Sequence, residues 1–165
     1  MEIEIRPVGA EHAGEMYSLV NEIKDEGKYL FFTLRFPPEG TKKYIETHAA
    51  AGNPILGAFA EDGDLVGWID FNIGGFEDIS HTATIGMGVG RNQRGKGIGE
   101  KLLRACIGNA KKLRLEKLEL EVFDSNAAAR SLYHKVGFVE EGRLRRKRKF
   151  RGRYEDLICM GLFLD

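Results

Sequence analysis

Val89-Gly-Arg-Asn-Gln-Arg94-Gly95-Lys96-Gly97-Ile98-Gly99-Glu100-Lys-Leu-Leu103 is the stretch that decides the reading of this 165-residue chain. It follows a strand-like run, carries glycines at alternating positions 95, 97 and 99, and opens directly into a helical pattern. Such a start leaves bare N–H groups at a helix N-terminus, where unpaired donors and the helix dipole both favour an anion. Glycine lets a phosphate reach the backbone with no side chain in the way. A ligand bearing a diphosphate fits that chemistry. A glycine-rich turn before an ordinary helix is the plain structural alternative.

The spacing departs from two common nucleotide loops. A Walker loop needs Gly-x-x-x-x-Gly-Lys-Ser/Thr, which is absent, and a dinucleotide fingerprint needs Gly-x-Gly-x-x-Gly, whereas here the third glycine comes one residue too soon. Arg94-x-x-Gly97-x-Gly99 resembles instead the Arg/Gln-x-x-Gly-x-Gly/Ala signature of the GCN5-related N-acetyltransferases (the GNAT superfamily). Further on, Leu118-Glu-Leu-Glu-Val-Phe123 alternates as a strand, Asp124-Ser-Asn126 reads as a turn and helix cap, and the helix that follows ends at Gly137. Asn126-x-x-Ala-x-x-Leu-Tyr133-x-x-x-Gly-Phe138 resembles the second acetyl-CoA-contacting motif of the same superfamily, in the family's order and separation. The likeness is close over about residues 80–140 and holds in outline elsewhere. The turn Gly137-Phe-x-x-Glu-Gly142 and the final strand Gly152-x-Tyr-x-Asp-Leu-x-x-Met160 are similar to bacterial acetyltransferases acting on amino acids and small amines, and to ribosomal-protein N-terminal acetyltransferases.

Composition sets the frame. The length suits one domain over residues 1–165 with a substantial core. No apolar run approaches the roughly 20 residues of a membrane span. Met1-Glu-Ile-Glu-Ile-Arg6 lacks the basic and apolar regions of a signal peptide. Cys106 and Cys159 show no metal-ligand spacing and read as reduced thiols, so a cytoplasmic protein without metal is expected. Net charge is zero but segregated: residues 1–90 hold 15 acidic and 6 basic side chains, residues 91–165 hold 10 acidic and 19 basic. The basic half also contains the candidate phosphate loop, which fits a multiply phosphorylated ligand.

Periodicity predicts strands at 2–8, 54–60, 65–73, 81–89, 117–123, 138–149 and 153–163. It predicts helices around Met16, Leu19, Val20 and Ile23, after Thr41, at 97–113 and at 126–136, with an aromatic loop over 28–38. This β-α-α-β-β-β-α-β-α-β-β order is that of the resembled family: an α/β fold, a mixed twisted sheet of about seven strands with about four helices on both faces.

What the resemblance implies for the site is specific. The sheet should splay between the strands ending at Val89 and Phe123, and the pantetheine arm of acetyl-CoA should pair with the backbone at Met87 and Val89. Gly86 and Gly88 leave one face low, for a ligand or for another backbone. Gly95, Lys96, Gly97, Ile98, Gly99 and Glu100 should meet the pyrophosphate, with charge added by Arg94 and Lys96. Asn126 matches the pantetheine-holding position and also reads as a simple N-cap. Arg130 either faces the cosubstrate or is solvated. Tyr133 matches the family's acid, protonating the departing thiolate; packing beneath the sulfur is its alternative. Glu121 occupies the position of the ribosomal-type base, and a salt-bridged or solvated carboxylate is equally compatible. His81 and His134 are weaker candidates. Substrate selection is expected from Tyr29, Phe31, Phe32 and Phe36, which can equally anchor their loop, and from the tail hairpin. Arg143–Arg153 holds eight cations in eleven residues. It reads first as a solvated edge hairpin, with nucleic acid disfavoured and a substrate-carboxylate contact through Arg145 open. The expected reaction is acetyl transfer to a small-molecule amine. Protein N-terminal acetylation and a non-catalytic acyl-CoA module are the alternatives, and a homodimer is compatible with each.

Overall fold

The computed structural model describes residues 2–30 and 37–165. Strand β1 spans Glu4–Pro7 and a short turn of helix at Ala10–His12 leads into α1, Ala13–Asp25; α2 is Pro38–Ala50. Strands β2 (Leu56–Phe59), β3 (Leu65–Ile73) and β4 (Thr82–Val89) follow, then α3 (Ile98–Lys112), β5 (Lys117–Phe123) and α4 (Ala127–Val136). A long hairpin closes the chain, β6 at Val139–Phe150 and β7 at Arg153–Phe163. The expected order of elements holds. The start of α2 does not: it begins at Pro38 rather than after Thr41. Pro38 reads as a loop residue in sequence, but at the first helical position its missing N–H is one the helix leaves unpaired anyway.

The seven strands form one sheet in the order β1-β2-β3-β4-β5-β7-β6. Every neighbouring pair is antiparallel except β4 with β5. Both faces are covered. On one, Leu102, Leu103 and Cys106 of α3 pack on Ile69, Phe71, Ile85, Leu118 and Ile158. On the other, Met16, Leu19 and Ile23 of α1 and Ile45 of α2 pack on Phe59, Leu65 and Trp68. The α1 residues recur at helical spacing, so one stripe reaches the sheet. Each fully buried Leu or Ile contributes roughly 1.5–3 kcal/mol.

The glycine face of β4 meets side chains of the neighbouring strand. Gly86 and Gly88 are cross-strand partners of Asp70 and Trp68. A Cβ at Gly88 would stand 2.4 Å from the Trp68 ring, and one at Gly86 would stand 3.2 Å from Asp70 Oδ1. Side chains of β3 take up the space these glycines leave next to the strand, and both glycines also line the cavity described below.

Candidate active site

The parallel pairing of β4 with β5 is short. It joins Thr82 to Lys117, Ala83 to Leu118 and Thr84 to Glu119, and then stops. Beyond it both strands stay paired on their outer sides, β4 to β3 as far as Val89 and β5 to β7 as far as Phe123. The sheet therefore opens into a V whose arms line a cavity of about 1020 Å³.

Hydrogen bonds show which backbone groups face the opening. The Gly90 N–H donates to the Val66 carbonyl on β3. Alternation along a strand then turns Gly88 and Gly86 toward β3, and Val89 and Met87 toward the V. Arg94 Nε donates to the Val89 carbonyl at 2.9 Å, consistent with that direction. Met87, Gly88 and Val89 all line the cavity.

The glycine loop divides its tasks. Gly95 and Gly97 have φ of +76° and +78°, a left-handed conformation that a side chain would strain. Gly97 caps α3 with no side-chain hydrogen bond, and the first backbone bond of the helix runs from Lys101 N–H to the Gly97 carbonyl. The N–H groups of Ile98, Gly99 and Glu100 are thus the open start of the helix. Gly95, Gly97, Ile98, Gly99 and Glu100 line the cavity. Gly99 serves packing as well, since a Cβ there would lie 2.9 Å from Leu132 Cδ2 on α4.

The side chains expected to supply charge are otherwise engaged. Arg94 forks onto Glu26 at 2.9 and 2.6 Å and lies over the Tyr29 ring. That fork holds the Glu26 carboxyl below its ordinary range. Lys96 donates to Gln93 Oε1 at 2.8 Å and does not line the cavity. The Glu100 carboxylate, held low by Lys135 and Arg104, ties α3 to α4, leaving its N–H for an anion. Arg130 also stays outside the cavity, bonded to Glu140 and to the Asp124 carbonyl, because its side chain runs toward β6.

Asn126 caps α4, its Oδ1 accepting the Ala129 N–H at 3.2 Å, and it lines the cavity. Two turns on, Tyr133 reaches the same cavity from the α3–α4 side. Its carbonyl accepts the capping N–H groups of Gly137 and Phe138 at 3.1 and 3.0 Å, which fixes the last turn, and its ring packs against Phe138. Burial pushes the phenol up to about 12, so it keeps its proton at neutral pH.

Glu121 lines the cavity from β5, exposed, with no ion pair among the described residues. Glu119, two residues back, is bridged by Lys117 at 3.0 Å. His81 and His134 do not line the cavity, nor does Arg145. Tyr29 does, whereas Phe31, Phe32 and Phe36 lie outside the described residues.

Three features escaped the sequence reading. Asp70 on β3 is buried yet lines the cavity beside Tyr44 of α2, and Asn21 of α1 does the same. The available signal was a lone carboxylate between Ile69 and Phe71 in an apolar strand. The third is Arg148. Far from solvated, it bonds Glu155, donates to the carbonyls of Gly27 and Lys28, and covers the Phe123 ring at 3.6 Å. The basic hairpin is thereby anchored to the chain just after α1.

Comparison with known proteins agrees with this geometry. The model of the acetyltransferase (GNAT) family matches residues 16–138. An L-methionine sulfoximine/L-methionine sulfone acetyltransferase of Pseudomonas aeruginosa is 32% identical over 123 residues, 74% of this chain and 72% of that protein. The L-amino acid N-acetyltransferase AaaT of Escherichia coli is 33% identical over 145 residues, 87% of this chain and 90% of its own length. Among solved structures, yncA from Salmonella typhimurium with acetyl-CoA superposes with a TM-score of 0.93 at 23% identity, covering 100% of this chain and 95% of that one. A ribosomal-protein-alanine N-acetyltransferase from Brucella melitensis does so with a TM-score of 0.90 at 26% identity, covering 98% and 99%. The fold is shared with these structures, and the chain belongs to the acetyltransferase (GNAT) family.

Proposed function

We propose that the protein is one catalytic domain that transfers the acetyl group of acetyl-CoA to the primary amine of a free amino acid or a related small amine, in the cytoplasm. The observation that carries this reading is the convergence, in one cavity, of an open β4 edge, an uncapped helix start and a buried phenol. The named relatives that act on amino acids, each matched over more than two thirds of its length, support the acceptor class.

In this reading the N–H groups at the start of α3 hold the pyrophosphate. The β4 backbone at Met87 and Val89 pairs with the pantetheine arm, and Asn126 steadies it from the cap of α4. Direct attack by a neutral amine forms the C–N bond and a tetrahedral adduct, whose collapse breaks the C–S bond. Tyr133 gives the leaving sulfur its proton. A carboxylate on the far side, Glu121 or another, takes the proton that the ammonium must lose before attack. Acylation of protein N-termini is a second reading, favoured by the full-length likeness to the Brucella enzyme.

The test is acetyl-CoA-dependent thiol release with two panels, free amino acids and short peptides of varied N-terminus. Release with free amino acids is the expected outcome. Release confined to peptides would move the assignment to the second reading, and acetyl-CoA binding without release to any acceptor would overturn both.

A further inference from the structure

The wall of the cavity opposite Tyr133 holds polar groups that the scheme above leaves without a task. Trp68, Asp70 and Asn72 alternate along β3 and so share one face. Residues paired across strands share a face too, so Asp70 lies with Gly86, and Asn72 with Thr84 and Glu119. This is the α1–α2 side of the sheet. Asp70 pairs with the second β4 residue beyond the last β4–β5 pair, which sets its carboxylate at the root of the V.

Asp70 is 7% exposed and has no ion pair among the described residues. Asn72 Nδ2 lies 3.4 Å from its Oδ1 and 3.3 Å from the Tyr44 hydroxyl. Burial raises the carboxyl to about 6, opposed by His48 and by hydrogen bonds from Tyr44 and Trp68. Tyr44 is itself raised to about 12, by burial first and by Asp70 second. The titratable groups facing Asp70 are thus Tyr44 and His48 from α2 and, through the sheet, Cys106 from α3. From α1, Tyr17, Lys24 and Asn21 line the same cavity. Asn21 brings a second polar group to the same wall: it is only 8% exposed and its side chain lines the cavity. A carboxylate buried without an ion pair costs free energy. A ligand bearing an ammonium group relieves that cost.

We propose that Asp70, with Asn21, Tyr44 and Asn72, forms the subsite for the acceptor's primary ammonium group, and that Asp70 is the catalytic base that takes its first proton. The assignment rests on the N-acetyltransferase reading. The ammonium gives one proton to the Asp70 carboxylate and becomes the attacking amine. The second proton leaves nitrogen from the tetrahedral adduct and balances the one Tyr133 delivers to sulfur. Asp70 then releases its proton to solvent, so the sum is ammonium plus thioester giving amide, thiol and one proton. Glu121, across the V and exposed, remains a wall of the opening in this scheme.

The experiment is thiol release with the free amino acid panel between pH 5 and 9, for wild type, Asp70→Asn, Glu121→Gln and Tyr44→Phe. Asp70→Asn is expected to lower kcat/KM for the amine about 100-fold at pH 7, with acetyl-CoA affinity within about twofold and an undiminished melting temperature. The wild-type acid limb near pH 6 should vanish in that variant, and its deficit should shrink as rising pH deprotonates the acceptor unaided. Tyr44→Phe removes a hydrogen bond that holds the carboxyl down, and should move the acid limb upward. An Asp70→Asn enzyme within about threefold of wild type and with the same acid limb would overturn the proposal, as would transfer of these effects to Glu121→Gln. A wild type that binds acetyl-CoA but releases no thiol with any amine would sink the underlying reading, and this one with it, before any variant is compared.

Discussion

The two walls of the cavity are built on opposite plans. The wall proposed to face the pyrophosphate is made of backbone: Gly95 and Gly97 in left-handed turns, the open N–H groups from Ile98 to Glu100, and the unpaired edge of β4. The wall on the α1–α2 side is made of side chains, Asn21, Tyr44, Asp70 and Asn72, from three separate elements. Charge follows part of that division: the side-chain wall and β4 lie in the net −9 half of the chain, and the start of α3 lies in the net +9 half. A backbone wall suits a cosubstrate of fixed shape. A side-chain wall can be retuned for each acceptor by single substitutions, so differences in acceptor should be written there.

Removing the proposed proton donor gives the sharpest contrast between the walls. Tyr133→Phe should lower turnover 10²- to 10⁴-fold while leaving acetyl-CoA affinity near normal; isothermal titration beside steady-state kinetics separates the two, and an unchanged rate would remove Tyr133 from the chemistry. Arg148→Met should cost about 3 kcal/mol of stability by stranding Glu155, whose side chain is 13% exposed beside an arginine at 14%. Because Arg148 also holds the carbonyls of Gly27 and Lys28, the acceptor KM should rise and the acetyl-CoA Kd should stay put. Denaturant melts and the two constants check it.

Asp70→Asn tests the side-chain wall through stability. The Asp70 carboxyl titrates at about 6 in the folded protein, above its ordinary 3.8, so the folded state binds the extra proton between those values. Ionised Asp70 therefore costs stability above pH 6. The variant should be more stable at pH 7.5, by on the order of 2–3 kcal/mol, and the gain should vanish as pH falls to about 4. Thermal melts across that range decide it; a variant less stable at pH 7.5 would contradict the assignment. Lys96→Ala should do least, shifting acetyl-CoA affinity less than about threefold, in keeping with an exposed lysine bonded to Gln93.

The backbone wall was legible in the sequence because its parts are contiguous. Gly95, Gly97 and Gly99 announce a turn and a helix start within five residues, and Asn126 and Tyr133 sit seven apart on one helix. The side-chain wall was not. Positions 21, 44 and 70 come together only through the packing of α1 and α2 on β3, which no local pattern encodes. The same long-range register explains why Gly86 and Gly88 look like ligand or backbone space in sequence while the side chains of Asp70 and Trp68 also take it up. Arg94 and Arg148 read as free cations for the same reason: their partners, Glu26 and the carbonyls of Gly27 and Lys28, are remote in sequence from both.

The short parallel ladder has a mechanical meaning. Among the described residues, three residue pairs are all the ladder that joins the four strands β1–β4 to the three strands β5–β7. A cosubstrate arm laid in the V extends that seam as an inserted strand. Occupancy should therefore stitch the two halves of the sheet together, and the protein should melt as a more cooperative body when loaded. The amides of Met87 and Val89, at the open lip of the seam, should be among those whose hydrogen exchange slows most.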